Sequence, residues 1–241
     1  MIDLHTPLIR IPWHPDLDIR RAVVANALSV VNVQAADSTR PILEELLGPV
    51  RGRWDLDRPF RCWQEGGRWK TQGVSTCGLV AEGIWRRVQV DFPALWQNYV
   101  SGKAIERAIT FAKQCEAWVR PGDGRVPRPG EYVVIGSGLG THALTCVDWE
   151  GDTLVSVDGG QVGARGLQAV HLCRRPWKAD SLGARKIVGW VDPEMLRYRA
   201  GEDVVVPAGW EATRSDPAPL DPSGSPPSGP RGSEQTSARV S

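Results

Sequence analysis

A thiol, an imidazole and a carboxylate that follow one another along a chain can build a nucleophile site, and Cys77, His142 and Asp158 stand in that order. Cys77 sits in Gly73-Val74-Ser75-Thr76-Cys77-Gly78-Leu79, where a polar turn runs into an apolar, helix-like stretch. A thiol attacks only as thiolate. Ser75 or Thr76 can cap the helix, placing Cys77 in the first turn, where the macrodipole favours negative charge. A nearby imidazole would take the proton, and the Cys77 backbone N–H at the helix start is suited to bind a developing oxyanion. Gly78 keeps side-chain bulk away from the sulfur.

His142 opens the run His142-Ala143-Leu144-Thr145-Cys146-Val147-Asp148-Trp149, and Asp158 ends Thr153-Leu154-Val155-Ser156-Val157-Asp158. The two runs predict a β-hairpin. A three-residue loop, Trp149-Glu150-Gly151, puts glycine at the position that wants a left-handed conformation. Asp148 then faces Asp152, and His142 lies directly opposite Asp158, on the same face. In that register Asp158 orients the imidazole and stabilises its charged form. A two-residue loop would send the pair to opposite faces. Cys146 shares the His142 face and is expected to line the site wall.

Each residue also has a structural reading. A cysteine at a helix start is commonly a buried thiol, a histidine opening a strand is commonly half-buried surface, and Asp before Gly159-Gly160 is a common turn residue. Their joint occurrence favours a site. His171, in an apolar strand, is a competing base but reads as packing. His5 and His14 fall in an N-terminal arm. Cys115 occupies an apolar helix position and reads as core.

The elements that must position these groups follow from periodicity. Residues 1–20 are Pro-rich and polar, an extended arm. Residues 16–48 read as helical, with Ala22, Val23, Val24, Ala27, Leu28 and Val31 in one stripe. Pro41 starts a second helix that Gly48-Pro49 ends. A loop containing Trp54, Pro59 and Trp63 leads to the site. Helices are expected from about 77 to 88 and 102 to 118, and strands at 131–135, 142–149, 152–158, 170–173 and 186–191. Helices first and strands second predict an α+β domain, N-terminal helices followed by an antiparallel sheet. The expected organisation is an arm with helices (1–60), a catalytic domain (61–206) and a disordered Pro/Ser/Gly-rich tail (207–241) suited to docking a protein partner.

The 241 residues carry a formal net charge of +1, which gives no global attraction to nucleic acid or to an acidic membrane surface. No run approaches the ~18–20 apolar residues of a membrane span, and the N-terminus lacks the pattern of a signal peptide. The expected location is therefore the cytoplasm, or outside by a route other than such a peptide. The five cysteines form no Cys-x-x-Cys pair, so neither a zinc site nor a disulfide framework is expected. No metal or organic cofactor is required. Eleven tryptophans suit a core, and also a sugar- or peptide-binding cleft.

Together, Cys77 at a helix start, Pro129-Gly130-Glu131 before a strand, His142 opening the next strand and Asp158 on the one after resemble the papain-like cysteine peptidase and amidase superfamily. The likeness covers roughly residues 60–160 and is nearest to the bacterial NlpC-type and CHAP domains. It implies a papain-like fold and hydrolysis of an amide bond in a peptide or a peptidoglycan stem peptide. The Cys77-Gly78 pair is also similar to peptidases that trim bacteriocin leaders. That likeness implies an oxyanion-hole role for Gln72, five positions before Cys77. Two alternatives stay open: an intracellular protein-directed peptidase or transamidase, and an inactive papain-like binding or structural module.

Overall fold

The computed structural model describes residues 8–12, 18–48, 56–59, 61–66, 68–72, 75–88, 104–122, 124–136, 140–178, 181–196 and 203–208. Among the described residues four α-helices carry the first half: α1 (Ile19–Ser29), α2 (Arg40–Leu47), α3 (Cys77–Arg87) and α4 (Ala104–Gln114). Asp18 caps α1 by accepting from the Arg21 N–H at 3.0 Å. Pro41 lies in the first turn of α2, and Gly48 ends it. Helix α3 is buried on nearly every side; of its eleven residues only Arg86 is not buried. Mostly apolar, with Glu82 and Arg87 also buried, α3 is a core helix and packs against α1, α2, α4 and the sheet.

The second half is strand. β4 (Trp118–Val119), β5 (Tyr132–Ile135), β6 (His142–Glu150), β7 (Thr153–Val162), β8 (Gln168–Lys178), β9 (Ser181–Leu182) and β10 (Arg185–Val191) form one sheet in the order β4-β10-β5-β6-β7-β8-β9. Its neighbouring strands are antiparallel. An additional β9–β10 pairing closes six of the strands into a barrel. The fold is α+β, as expected, with N-terminal helices packed on a closed antiparallel barrel.

Alternation along β6 divides the barrel wall. Ala143 and Val147 face the helices and join the main core with Val80, Ile84 and Trp85. Leu144 and Cys146 face inward and join Val133, Ile135, Leu154, Ile187 and Trp190. Trp149, Trp177 and Trp190 fill one end of the barrel in successive edge-to-face contacts, with ring centroids 5.5 and 6.3 Å apart.

Three differences from the sequence reading concern local pairing. Residues 61–72, expected as a loop, form a hairpin of β2 (Arg61–Glu65) and β3 (Arg68–Gln72). The arm contains β1 (Leu8–Pro12), which pairs along its whole length with β11 (Asp203–Pro207). Helix α4 stops at Gln114, and Trp118 passes into β4. The tail expected to be disordered lies, from 209 on, outside the described residues. No described helix is long and apolar enough to cross a membrane.

Candidate active site

The three sequence-predicted residues meet where the N-terminus of α3 abuts β6 and β7. The His142 Nε2–H donates to Asp158 Oδ2 at 2.6 Å. That choice of tautomer leaves Nδ1 for Cys77, whose thiol lies near enough that the charges of the two groups act strongly on each other. All three side chains are withdrawn from solvent: Cys77 is 4% exposed, His142 6% and Asp158 0%.

The hairpin reaches this arrangement through a register other than the expected one. The loop has two residues, Gly151-Asp152, and Glu150 pairs with Thr153. Gly151 has φ 58°, as a type II′ turn requires at its first central position. Asp148 therefore stands opposite Val155, not Asp152. Carried straight along β6, this register would place Asp158 on the face away from His142. A β-bulge intervenes: the pairing runs Asp148 with Val155, then Cys146 with Ser156, leaving Val147 as the extra residue. One inserted residue flips every later side chain relative to its partner strand. Beyond Thr145 with Val157 the next level is Leu144 with Asp158. His142 thus becomes a diagonal neighbour of Asp158 on the inner face, not the directly opposite residue.

Asp158 is held from two further sides. The Ser156 hydroxyl donates to Oδ1 at 2.6 Å, and the Arg175 guanidinium donates to Oδ2 at 2.7 Å and Oδ1 at 3.2 Å. Burial alone would raise its pKa, but the His142 hydrogen bond and charge, followed by Arg175, hold the carboxyl well below the usual range. Cys77 shows the same contest. Burial pushes a thiol up; the His142 charge and hydrogen bond, then Ser75 and the Ala143 backbone, more than offset it and bring Cys77 down to about 7. Burial likewise pulls His142 down, while the Cys77 charge and the Asp158 hydrogen bond raise it to about 9. The two titrate as a coupled pair, and the thiolate–imidazolium form is favoured between those values. By contrast, burial pushes Cys146 well above its ordinary value and Cys173 up to about 11.

The start of α3 is fixed by contacts from distant strands. Thr76, at the N-cap, makes no side-chain capping bond. Its N–H instead donates to Oε1 of the buried Gln168, on β8, at 2.9 Å. The Cys77 N–H donates to Ser75 Oγ at 3.3 Å. Gly159 and Gly160 let β7 approach the helix: a Cβ on Gly159 would lie 2.4 Å from Val80 Cβ. One on Gly160, which has φ +64°, would lie 2.2 Å from Ser75 Oγ.

The remaining predicted residues are placed differently. Gly78 faces α4, where a Cβ would meet Ile105 Cγ1 at 2.9 Å, so its role is helix packing and not clearance for the sulfur. Gln72 ends β3, paired with Arg61; its side chain lies outside the described residues. Cys146 shares the His142 face but packs into the inner core and does not line the site. His171 stands level with Asp158 on β8, while the carboxylate bonds His142, Ser156 and Arg175. His5 and His14 fall outside the described residues. Sequence reasoning missed Ser156, Arg175 and Gln168. The first was legible, because it lies two positions before Asp158 on the same strand face. The other two come from β8, whose register nothing in the local sequence sets.

Among the described residues no group of three or more His, Cys, Asp and Glu side chains is arranged to hold a metal ion. Comparison with protein-family models, with curated proteins and with solved structures gave no match.

Proposed function

We propose that this protein is a cysteine-dependent amide hydrolase with a papain-like arrangement. Cys77 is the nucleophile, His142 the general base and then acid, and Asp158 the group that orients the ring. The observation that supports this reading best is the buried Cys77–His142–Asp158 line, in which the thiol is drawn down to about 7 despite burial that would raise it. A purely structural cysteine in such surroundings stays protonated, as Cys146 does. In the reaction the Cys77 thiolate attacks the acyl carbon and the imidazolium protonates the departing amine. The neutral ring then activates water to release the acyl group. Asp158 keeps the imidazole in the required tautomer throughout. By resemblance, the substrate is a peptide amide such as that of a peptidoglycan stem peptide.

The test is iodoacetamide alkylation followed residue by residue by mass spectrometry, with muropeptide hydrolysis measured alongside. Cys77 should react with an apparent pKa near 7 and well ahead of Cys173, and His142→Ala should cost about 10²-fold in its rate at pH 7, because burial then acts on the thiol against only the weaker pull of Ser75 and the Ala143 backbone. A Cys77 that labels no faster than Cys173 would sink the reading. Labelling of Cys77 without muropeptide cleavage would keep the nucleophile and remove the substrate.

A further inference from the structure

We propose that Ser75 is a catalytic residue whose hydroxyl, with the Cys77 backbone N–H, binds the oxyanion formed when the Cys77 thiolate attacks an acyl group. The inference rests on Cys77 being the nucleophile, and goes further by naming the second oxyanion donor.

Three features of the helix start lead to it. First, the Thr76 N–H is committed to Gln168 Oε1 at 2.9 Å, so that amide is taken, and the Cys77 N–H follows it at the open end of the helix. Second, among the described residues that N–H has Ser75 Oγ as its one partner, at 3.3 Å, a long contact compared with the usual 2.9–3.0 Å. The same hydroxyl also acts on the Cys77 thiol, helping to hold its pKa down. Ser75 thus accepts from the amide, and its own proton can serve negative charge beside it. Third, the hydroxyl has a seat made for it. Gly160 leaves the space a Cβ would take 2.2 Å from Ser75 Oγ and 3.0 Å from the Cys77 nitrogen, and its φ of +64° suits glycine.

This arrangement fits the movement of charge during acyl transfer. The sulfur forms a bond to the acyl carbon, and the carbonyl π pair moves onto oxygen. No proton moves in that step, because His142 already holds it. Negative charge passes from sulfur to oxygen, and a hydroxyl that favours charge on the first can turn to donate to the second. The incoming oxygen replaces Ser75 Oγ as acceptor of the Cys77 N–H. On collapse the oxygen's electron pair re-forms the carbonyl and the leaving-group bond breaks, the leaving group departing as an amine with the His142 proton, or as a stable anion.

Two probes separate this role from thiol activation. Iodoacetamide reacts by displacement of iodide at a saturated carbon and develops no oxyanion. p-Nitrophenyl acetate acylates through a tetrahedral oxyanion and releases p-nitrophenolate. Both are followed at Cys77 by mass spectrometry, above the apparent thiol pKa so that the thiolate fraction is matched. For Ser75→Ala, alkylation is expected to stay within about threefold of wild type, while acylation falls about 10²-fold. Ser75→Thr, which keeps the hydroxyl, should recover most of the loss, and thermal melting verifies that each variant is folded. Equal losses with both probes, or unchanged acylation in Ser75→Ala, would overturn the proposal. A wild-type Cys77 that is alkylated no faster than Cys173 would instead remove the nucleophile reading on which it rests.

Discussion

Asp158 and Glu131 are both carboxylates with fully buried side chains, and both gather arginines, yet burial and charge balance differently around them. Asp158 receives one guanidinium, one hydroxyl and the His142 ring, and its carboxyl is held well below the usual range. Glu131 lies among three guanidinium groups, with Arg20 and Arg125 each at 3.2 Å and Arg128 at 3.5 Å. Burial nonetheless pushes it up to about 7, opposed by the Arg20 charge and the Arg128 backbone N–H. The difference lies in competition. Around Glu131 the same arginines also bind Asp192, and Arg20 and Arg128 bind Glu194 as well; the Asp192 charge itself repels Glu131. Asp158 has no rival acid among these partners, and its imidazole carries a charge matched by the Cys77 thiolate. Counting arginines therefore misranks the two sites. One cluster ties α1 and the turn after β10 to the barrel, while the other fixes His142 beside Cys77.

The sharpest way to break that contrast is to neutralise each acid and measure Cys77 chemistry. Asp158→Asn should lower acylation of Cys77 by an activated ester about 10²–10³-fold, since the amide no longer favours the required tautomer or the charged ring. Glu131→Gln should leave the same rate within about twofold. Comparable losses in both variants would show that the two clusters do not divide structure from chemistry. Next in size is Arg20→Met. It takes the best-buried cation from Glu131 and Asp192 and should cost about 2 kcal/mol in a denaturant melt, with Cys77 alkylation unaffected. An unchanged midpoint would mean that Arg125 and Arg128 suffice. The smallest effect concerns pH. Glu131 has a folded pKa above its ordinary 4.5, so between about 4.5 and 7 the native state binds more protons than the unfolded chain. Its contribution therefore falls as pH rises through that window. Asp158 acts in the opposite sense and lower down: its contribution is present above its ordinary pKa and is lost as pH falls toward the depressed folded value. Glu131→Gln should flatten the slope of stability between pH 4.5 and 7 by on the order of 1–2 kcal/mol. A slope identical to wild type would assign that window to other groups.

The helices and the barrel strands differ in how far they could be read in advance. Helices α1, α2 and α3 announced themselves through a 3.6-residue apolar period, with Pro41 and Gly48 marking the limits of α2. Strands β5 to β8 and β10 announced themselves by β-branched runs. The β2–β3 hairpin did not, because Arg, Gln, Glu and Lys alternate there with few branched residues and only pairing with each other makes it a ribbon. Strand β1 is visible only once β11, nearly two hundred residues later, lies beside it. Both depend on partners that local propensity does not name.

The sequence by itself determined which groups could react and in what order: a thiol at a helix start, an imidazole at a strand start and a carboxylate on the next strand. Residue type and short-range periodicity are local properties, and the chain displays them directly. Only the tertiary structure decided that the three meet. The hairpin turn that formed would have parted His142 from Asp158, and the extra residue Val147 brought them back to one face. Likewise the closed barrel delivers Arg175 to the carboxylate and Gln168 to the Thr76 amide. A strand's facing flips with each one-residue shift in pairing. The geometry of this site was therefore set by register between strands, which is a property of partners and not of any single segment.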